Sequence, residues 1–340
     1  MQKRFAILGT GFWAPYQLAG WRELDGVECI AVYNRTKTRA EAFAARFGIP
    51  AVYDNPEALL ERESLDFVDI ITDVDTHRPF SELALARGVD AICQKPMAPT
   101  LADAEAMVAA ARAAGRKLYI HENWRWQSQI RAAGRFLAAG RIGKPWRARV
   151  VYSNSFPVFD NQPFLKELDR FILMDVGTHI FDAVRFLFGE ARTLYCHTHQ
   201  VNKGIRGEDA ATVMLEMVSG TTVSVELSYA SRLEGEAFPQ TFLCVEGEDA
   251  SLELTRDYWI RITTSEGTWA NRYPPRWYEW ADSRYDVVHA SIVDCNANLL
   301  AGMRGEGDAE TSAEDNLETL RLVSLAYDSA EQGQVVAVGA

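Results

Sequence analysis

Arg4-Phe5-Ala6-Ile7-Leu8-Gly9-Thr10-Gly11-Phe12-Trp13-Ala14 is the stretch whose reading decides the fold. A short apolar run bearing the marks of a buried strand breaks directly into G-x-G-x-x-A. Gly9 permits the tight turn, Gly11 lets backbone N–H groups approach a pyrophosphate, and the small Ala14 lets the following helix pack on the strand. Taken alone the match is weak, because small-residue turns after strands are common. Its context strengthens it: a helical segment follows, and a second strand ends at Tyr33-Asn34, twenty residues beyond Ala14. Gly9, Thr10, Gly11, Phe12 and Trp13 are therefore expected to cradle a dinucleotide.

Outward from that turn, β-type runs at 29–33, 67–71 and 90–93 alternate with helix-period stretches at 38–47 and 79–87. A helix over 100–115 and a strand at 117–120 follow. Such alternation implies a parallel sheet with crossover helices on both faces. From about residue 147 to 272 the pattern changes to period 2, with strands at 147–153, 193–199, 211–217, 221–229, 242–246, 251–254 and 259–263. One helix, 172–188, interrupts them, and helical stretches at 286–300 and 313–331 close the chain. The expected architecture is α/β. An N-terminal Rossmann domain, a doubly wound parallel sheet over 1–122, precedes a C-terminal α/β domain over 123–340 with a large open, mainly antiparallel sheet. A C-terminal helix is free to pack back on the first domain.

Composition narrows the partners. Of 340 residues, 35 are basic and 47 acidic, a net charge of −12 that repels nucleic acid and anionic membranes. No apolar run approaches the roughly 20 residues a membrane span needs, and Met1-Gln2-Lys3-Arg4 opens without a signal-peptide core, so a cytoplasmic protein is expected. Five cysteines, odd in number and without C-x-x-C spacing, point to neither a disulfide framework nor zinc. His197-Thr198-His199 puts two imidazoles on one strand face, but no third ligand is close in sequence. An exposed sheet face is the better reading, and no metal is expected.

Three further groups carry chemistry. At the second strand end, where an NAD enzyme usually has Asp or Glu for the ribose, stand Asn34 and Arg35. Asn34 can still bond a hydroxyl, and Arg35 can pair with a 2′-phosphate, stack on adenine or remain a solvated cation, so NAD leads and NADP is permitted. Lys95, in Gln94-Lys95-Pro96, falls where a parallel strand ends, the edge at which doubly wound sheets bind ligands. Near a positive nicotinamide its protonation is disfavoured, which suits a group that relays a proton. Asp175 and His179, four residues apart on a helix, share a face, as a general base and its orienting carboxylate would. In an arbitrary helix, capping or an exposed ion pair is at least as frequent.

Together the G-x-G-x-x-A turn, Gln94-Lys95-Pro96 and Asp175-x-x-x-His179 resemble the Gfo/Idh/MocA family of sugar and cyclitol oxidoreductases over nearly the whole chain. The resemblance implies hydride transfer at a carbinol carbon. Lys95 becomes the family's motif lysine, Asp175 its substrate-orienting carboxylate and His179 its proton-transferring histidine. Thr72, Asp73 and His77 fall in the loop beside ribose and nicotinamide. Two residues depart from the pattern: Gln94 replaces a glutamate next to the nicotinamide, and Asp73 replaces a proline.

The stretches 121–126, 155–163 and 73–77 look more narrowly like an aldose-oxidising subgroup that converts a cyclic hemiacetal to a lactone at C1 with NAD. His121, Asn123, Trp124, Arg125, Phe156 and Asn161, with Asp175 and His179, are then the expected sugar contacts, donors for hydroxyls and flat apolar surfaces for a ring face. Trp126 and Phe159 read as core. The aromatic, proline-rich stretch 269–280 reads as a loop over the substrate or against a neighbouring subunit. The alternatives are a keto-sugar or cyclitol oxidoreductase and a dinucleotide-binding regulator without turnover. An apolar sheet face carrying strands such as 221–229 predicts a homodimer or homotetramer joined through the C-terminal sheet.

Overall fold

The computed structural model describes residues 2–339 and divides into two compact units. The first comprises the chain up to Asn123 with Glu279–Ala281 and Ile292–Leu320, and the second Trp124–Tyr278 with Asp282–Ser291 and the remainder from Arg321.

In the first unit the elements run β1 (Lys3–Leu8), α1 (Ala14–Arg22), β2 (Val27–Tyr33), α2 (Lys37–Phe47), β3 (Ala51–Tyr53), α3 (Pro56–Arg62), β4 (Phe67–Ile70), α4 (His77–Ala86), β5 (Asp90–Gln94), α5 (Leu101–Ala114) and β6 (Leu118–His121). All six strands are parallel in the order β3-β2-β1-β4-β5-β6. The order reverses between β1 and β4, and at such a switch point a crevice opens beyond the strands' carboxyl ends. The strands are mainly apolar because helices cover both faces, and the four residues of β4 are all buried, Asp69 among them. Glycines at left-handed φ end α2 (Gly48, φ 67°) and α5 (Gly115, φ 61°). Thr100 starts α5 by accepting from the Asp103 N–H at 3.1 Å. Residues 292–320 extend this unit: Thr311 O accepts from the Ile120 N–H on the edge strand at 2.9 Å, and the Lys117 ammonium donates to Gly302 O at 2.8 Å.

In the second unit lie α6 (Ser128–Ala138), β7 (Pro145–Ser153), α7 (Val158–Asn161), α8 (Thr178–Phe188), β8 (Ala191–His199), β9 (Ala210–Met217), β10 (Thr222–Ser228), β11 (Phe242–Gly247), β12 (Ser251–Thr255), β13 (Trp259–Thr264) and β14 (Gly267–Arg272). Two long helices, α9 (Asp286–Arg304) and α10 (Ala313–Gln332), and β15 (Val336–Ala337) complete the chain. The sheet has nine strands in the order β14-β13-β12-β11-β7-β10-β9-β8-β15, antiparallel except where β7 meets β10. Period-2 burial is plain in β9 and β10, whose Val213, Leu215, Val223 and Val225 point into the core. On that inner face α8, buried along most of its length, packs on β7.

Three differences from the sequence reading have physical reasons. Strand β3 and helix α3 lie between α2 and β4; three half-buried residues are too few to show a period. The stretch 269–280 begins as an edge strand, because β14 is exposed at every position and carries no alternation to detect. The face of β10 opposite the core carries Thr222, Ser224, Glu226 and Ser228, so the apolar exposure expected of that strand is absent; exposed apolar area falls instead on Tyr195 and its cross-strand partner Met214.

Candidate active site

At the carboxyl edge of the six-stranded sheet, the sequence-selected residues form one cross-tied group. Gly9 has φ 106°, and a Cβ there would collide with the Ile71 carbonyl and lie 2.9 Å from Thr72 Cγ2, so the turn after β1 sits directly against the loop after β4. At Gly11 a Cβ would meet nothing within 4 Å, and its φ is ordinary. Protein sterics do not require glycine there, and its small size leaves the turn's backbone open to a close-lying phosphate. Helix α1 starts just beyond without a side-chain cap, its Ala14 N–H donating to Gly11 O at 3.3 Å, so the helix N-terminus follows directly on the turn. These are the features a dinucleotide pyrophosphate needs, and the residues fit the group.

The other loops are tied to this turn in series. Asn34 donates from Nδ2 to Thr10 Oγ1 (2.8 Å), and its Oδ1 accepts from the Thr36 N–H (2.9 Å), which braces the end of β2. The Arg35 guanidinium lies 3.9 Å from the Asp73 carboxylate. Buried His77 bridges the next two loops, with Nδ1 3.0 Å from Pro96 O and Nε2 3.1 Å from Thr72 O. Burial holds its pKa below the ordinary histidine value although both carbonyls favour the cation, and a neutral imidazole can donate to only one of them. His77 thereby fixes the turn that carries Lys95, which is half-buried after the last residue of β5, Gln94. Gln94 pairs in register with His121, the last residue of β6. His121 and Asn123 are both buried in this unit, as is the intervening Glu122.

In the second unit the candidate proton-transfer residues, Asp175 and His179, lie on the helix before β8. This helix contains a π-helical turn, Leu173–Gly177, that leads into α8. Such turns are rare and occur frequently at functional sites. Asp175 lies inside the turn and His179 just beyond it, so their spacing is not the regular α-helical one that the sequence suggested. Thr178 Oγ1 donates back to Met174 O and Asp175 O (3.3 and 3.2 Å), bracing the distortion.

An aromatic wall surrounds these groups. The Trp124 ring stacks on the His179 imidazole, centroids 4.4 Å apart at 23°, and its Nε1–H donates to Thr241 Oγ1 at 2.9 Å. Tyr152 meets Trp124 edge-on at 5.9 Å and Tyr229 on its other side at 5.9 Å. Burial pushes both phenols well above their ordinary pKa, and the Asp175 charge adds to the effect, so they stay protonated donors. Phe156 stacks on Phe238 at 3.8 Å, and Tyr285 stands edge-on to both. Asn161 Nδ2 donates to the Tyr285 hydroxyl at 2.9 Å.

Arg125 has a different setting from an open sugar contact. It is buried, and its fork bonds both oxygens of the wholly buried Asp182 of α8, the Nε–H donating at 2.8 Å. The pair locks the Trp124 segment to the helix that carries His179.

Several residues that shape this unit escaped the sequence reading: Tyr152, Tyr229, Thr241, Tyr285, Asp182 and Glu208. Asp182 gave a signal, a carboxylate amid Ile180-Phe181 and Ala183-Val184 on an apolar helix. Glu208 gave none. Its carboxylate accepts from the Phe171 and Leu173 N–H groups (3.1 Å each at the nearer oxygen) and from the Tyr327 hydroxyl (2.7 Å), while its backbone oxygen accepts from the Ile172 N–H at 3.1 Å. One residue thus satisfies three successive N–H groups at the start of the helix bearing Asp175 and His179. The 269–280 stretch divides: Trp269 lies on β14, Trp277 is 81% exposed, and the Trp280 Nε1–H donates to Glu23 at 2.8 Å. Among the described residues, no three His, Cys, Asp or Glu are grouped to hold a metal, and no helix is long and apolar enough to cross a membrane.

A G-x-G-x-x-A turn on a Rossmann sheet edge in one unit and an Asp/His helix in the other are features of an NAD-binding oxidoreductase. Residues 3–122 match the family model described as an oxidoreductase family with an NAD-binding Rossmann fold, and residues 130–253 match the GFO/IDH/MocA C-terminal domain. The chain belongs to the Gfo/Idh/MocA family: it is an enzyme, and NAD is its cofactor. It is 45% identical to a D-apiose dehydrogenase of Paraburkholderia graminis, covering 98% of this chain and 90% of that one. A D-apiose dehydrogenase of Rhizobium rhizogenes is 37% identical over 98% and 97%. Among solved structures, an oxidoreductase from Agrobacterium radiobacter in complex with NAD+, L-tartaric acid and magnesium superposes with a TM-score of 0.98 at 36% identity, over 100% of this chain and 99% of that one.

Proposed function

We propose that this protein oxidises the cyclic hemiacetal of an aldose at C1 to the lactone with NAD, D-apiose to D-apionolactone being the favoured reaction. The observation that carries the proposal is the buried His179 held flat against Trp124 one turn beyond Asp175. A stacked imidazole cannot rotate freely, which suits a base that must meet one hydroxyl in one direction. Full-length similarity to two D-apiose dehydrogenases supports the substrate.

In this reading the His179 imidazole takes the C1 hydroxyl proton, and Asp175 orients the sugar beside it. The Lys95 ammonium stabilises the negative charge developing on that oxygen as hydride leaves C1. NAD, when bound, supplies the hydride acceptor. Trp124 and Phe156 offer apolar faces to the ring, and Asn123, Asn161 and His121 offer polar atoms to its hydroxyls. The protein is proposed to act in the cytoplasm as a homodimer or homotetramer joined through the open sheet face, where Tyr195 and Met214 lie exposed as a cross-strand pair. A monomeric mass by light scattering at micromolar concentration would refute the assembly.

A spectrophotometric screen of aldoses, branched sugars and cyclitols with NAD+ tests the reaction. D-apiose should give the highest kcat/KM. Preferential turnover of cyclitols, or of ketoses with NADH, would move the assignment to the cyclitol or keto-sugar branch, and no turnover of any of them would favour a regulator.

A further inference from the structure

We propose that Asp73 makes this enzyme prefer NAD to NADP, by engaging Arg35 and repelling a 2′-phosphate brought to it. The inference rests on the dinucleotide reading of the sheet edge and adds a residue to it.

The end of β2 poses the problem. NAD enzymes commonly place a carboxylate there, which bonds the ribose hydroxyls and rejects a phosphate, whereas a nearby arginine accommodates the 2′-phosphate of NADP. Here the strand is followed by Asn34, whose amide is engaged at both ends by Thr10 and Thr36. The next residue is Arg35. Considered alone, this strand end carries a cation and no anion, the arrangement that favours NADP.

The missing anion comes from another loop. Strands β1 and β4 are neighbours, and the contact of Gly9 with Ile71 and Thr72 presses the loop after β4 against the phosphate-binding turn. Asp73 follows immediately. Its backbone oxygen accepts from the Thr76 N–H at 2.9 Å and the Thr76 hydroxyl at 2.7 Å, and His77 lies 3.1 Å from the preceding carbonyl. The loop therefore holds its course, and the Asp73 carboxylate comes within 3.9 Å of the Arg35 guanidinium. Any phosphate paired with Arg35 would approach that carboxylate as a like charge. The two side chains are 80% and 81% exposed, so the ion pair itself adds little stability. Its consequence is discrimination: a charge that disfavours the wrong partner need not stabilise the right one. NAD, with a neutral 2′-hydroxyl, escapes the repulsion.

Titrations of the protein with NAD+ and NADP+, followed by tryptophan fluorescence or calorimetry, read this without turnover. The quantity is the ratio of the NADP+ to the NAD+ dissociation constant. In Asp73→Asn, which keeps the size and exposed position of the side chain, the ratio should fall about tenfold at low salt. Adding Arg35→Ala to that variant should return most of the loss, and raising the salt should shrink the wild-type ratio. A ratio that stays within twofold of wild type in Asp73→Asn overturns the proposal while leaving the dinucleotide site intact. Failure of the wild type to bind either dinucleotide overturns the reading of the edge as well.

Discussion

The sheet edge of the first unit and the helix of the second, the two halves of the proposed site, are built in opposite ways. The edge is built from short loops, each a few residues after a strand, and its key groups are main-chain atoms and small side chains: Gly9, Gly11, Thr10, Asn34. The helix region is built from side chains that arrive from far apart in sequence, Trp124, Tyr152, Tyr229, Thr241 and Tyr285 around Asp175 and His179. A phosphate is bound by backbone and position, and position follows a strand locally. A proton-transfer group needs a fixed, dry, oriented setting, which takes packing from many elements. The first kind of site leaves a motif in the sequence, and the second leaves only its reactive residues.

That contrast can be broken at either end. The largest effect should come from His179→Ala, which removes the proposed base: turnover should fall by about 10²–10⁴-fold with dinucleotide affinity retained. Steady-state rates and a binding titration together decide it, and a normal rate would take His179 out of the chemistry. At the other region, Gly9→Ala puts a Cβ into the Ile71 carbonyl at a left-handed φ. NAD+ affinity should weaken about 10–100-fold, the range that one to three kcal/mol of local strain gives; tight binding in that variant would mean the turn is not the cradle.

Two smaller effects concern stability. Glu208→Ala strips the helix start of its acceptors and leaves the Phe171 and Leu173 N–H groups buried without them, a loss on the order of 3 kcal/mol that should lower the melting temperature. In the first unit, wholly buried Asp69 takes a bond from the Trp21 Nε1–H at 2.7 Å, and burial pushes its pKa up to about 7. An unfolded aspartate titrates near 3.9. Between about pH 4 and pH 7 the unfolded chain gives up this proton while the folded chain keeps it, so stability falls as pH rises through that window and levels off above it. Asp69→Asn should remove the slope, melting about 2–4 °C higher than wild type at pH 8 and no higher at pH 4. Parallel slopes in the two proteins would show that Asp69 ionises freely.

The legibility of the sequence follows the same division. The parallel sheet was readable because its strands are mainly apolar runs alternating with helix-period stretches, and the open sheet because β9 and β10 alternate strictly. Strand β14 was not, since an edge strand exposed at every position has no period. Asp175 and His179 stood out as residues, yet the π turn between them is a backbone choice that Thr178 and the Glu208 cap help to fix, and no local pattern announces it. Arg125 looked like a ligand contact because its partner Asp182 lies 57 residues on. Arg35 was ambiguous for a similar reason: the anion that faces it comes from another loop.

The central claim, that the sugar is oxidised at C1, is tested most directly by supplying D-apiose deuterated at C1 together with NAD+ and analysing the reduced cofactor by mass spectrometry. The account predicts that the label appears in the NADH and that the sugar product is the lactone. NADH without deuterium, with the label retained in the sugar, would contradict it.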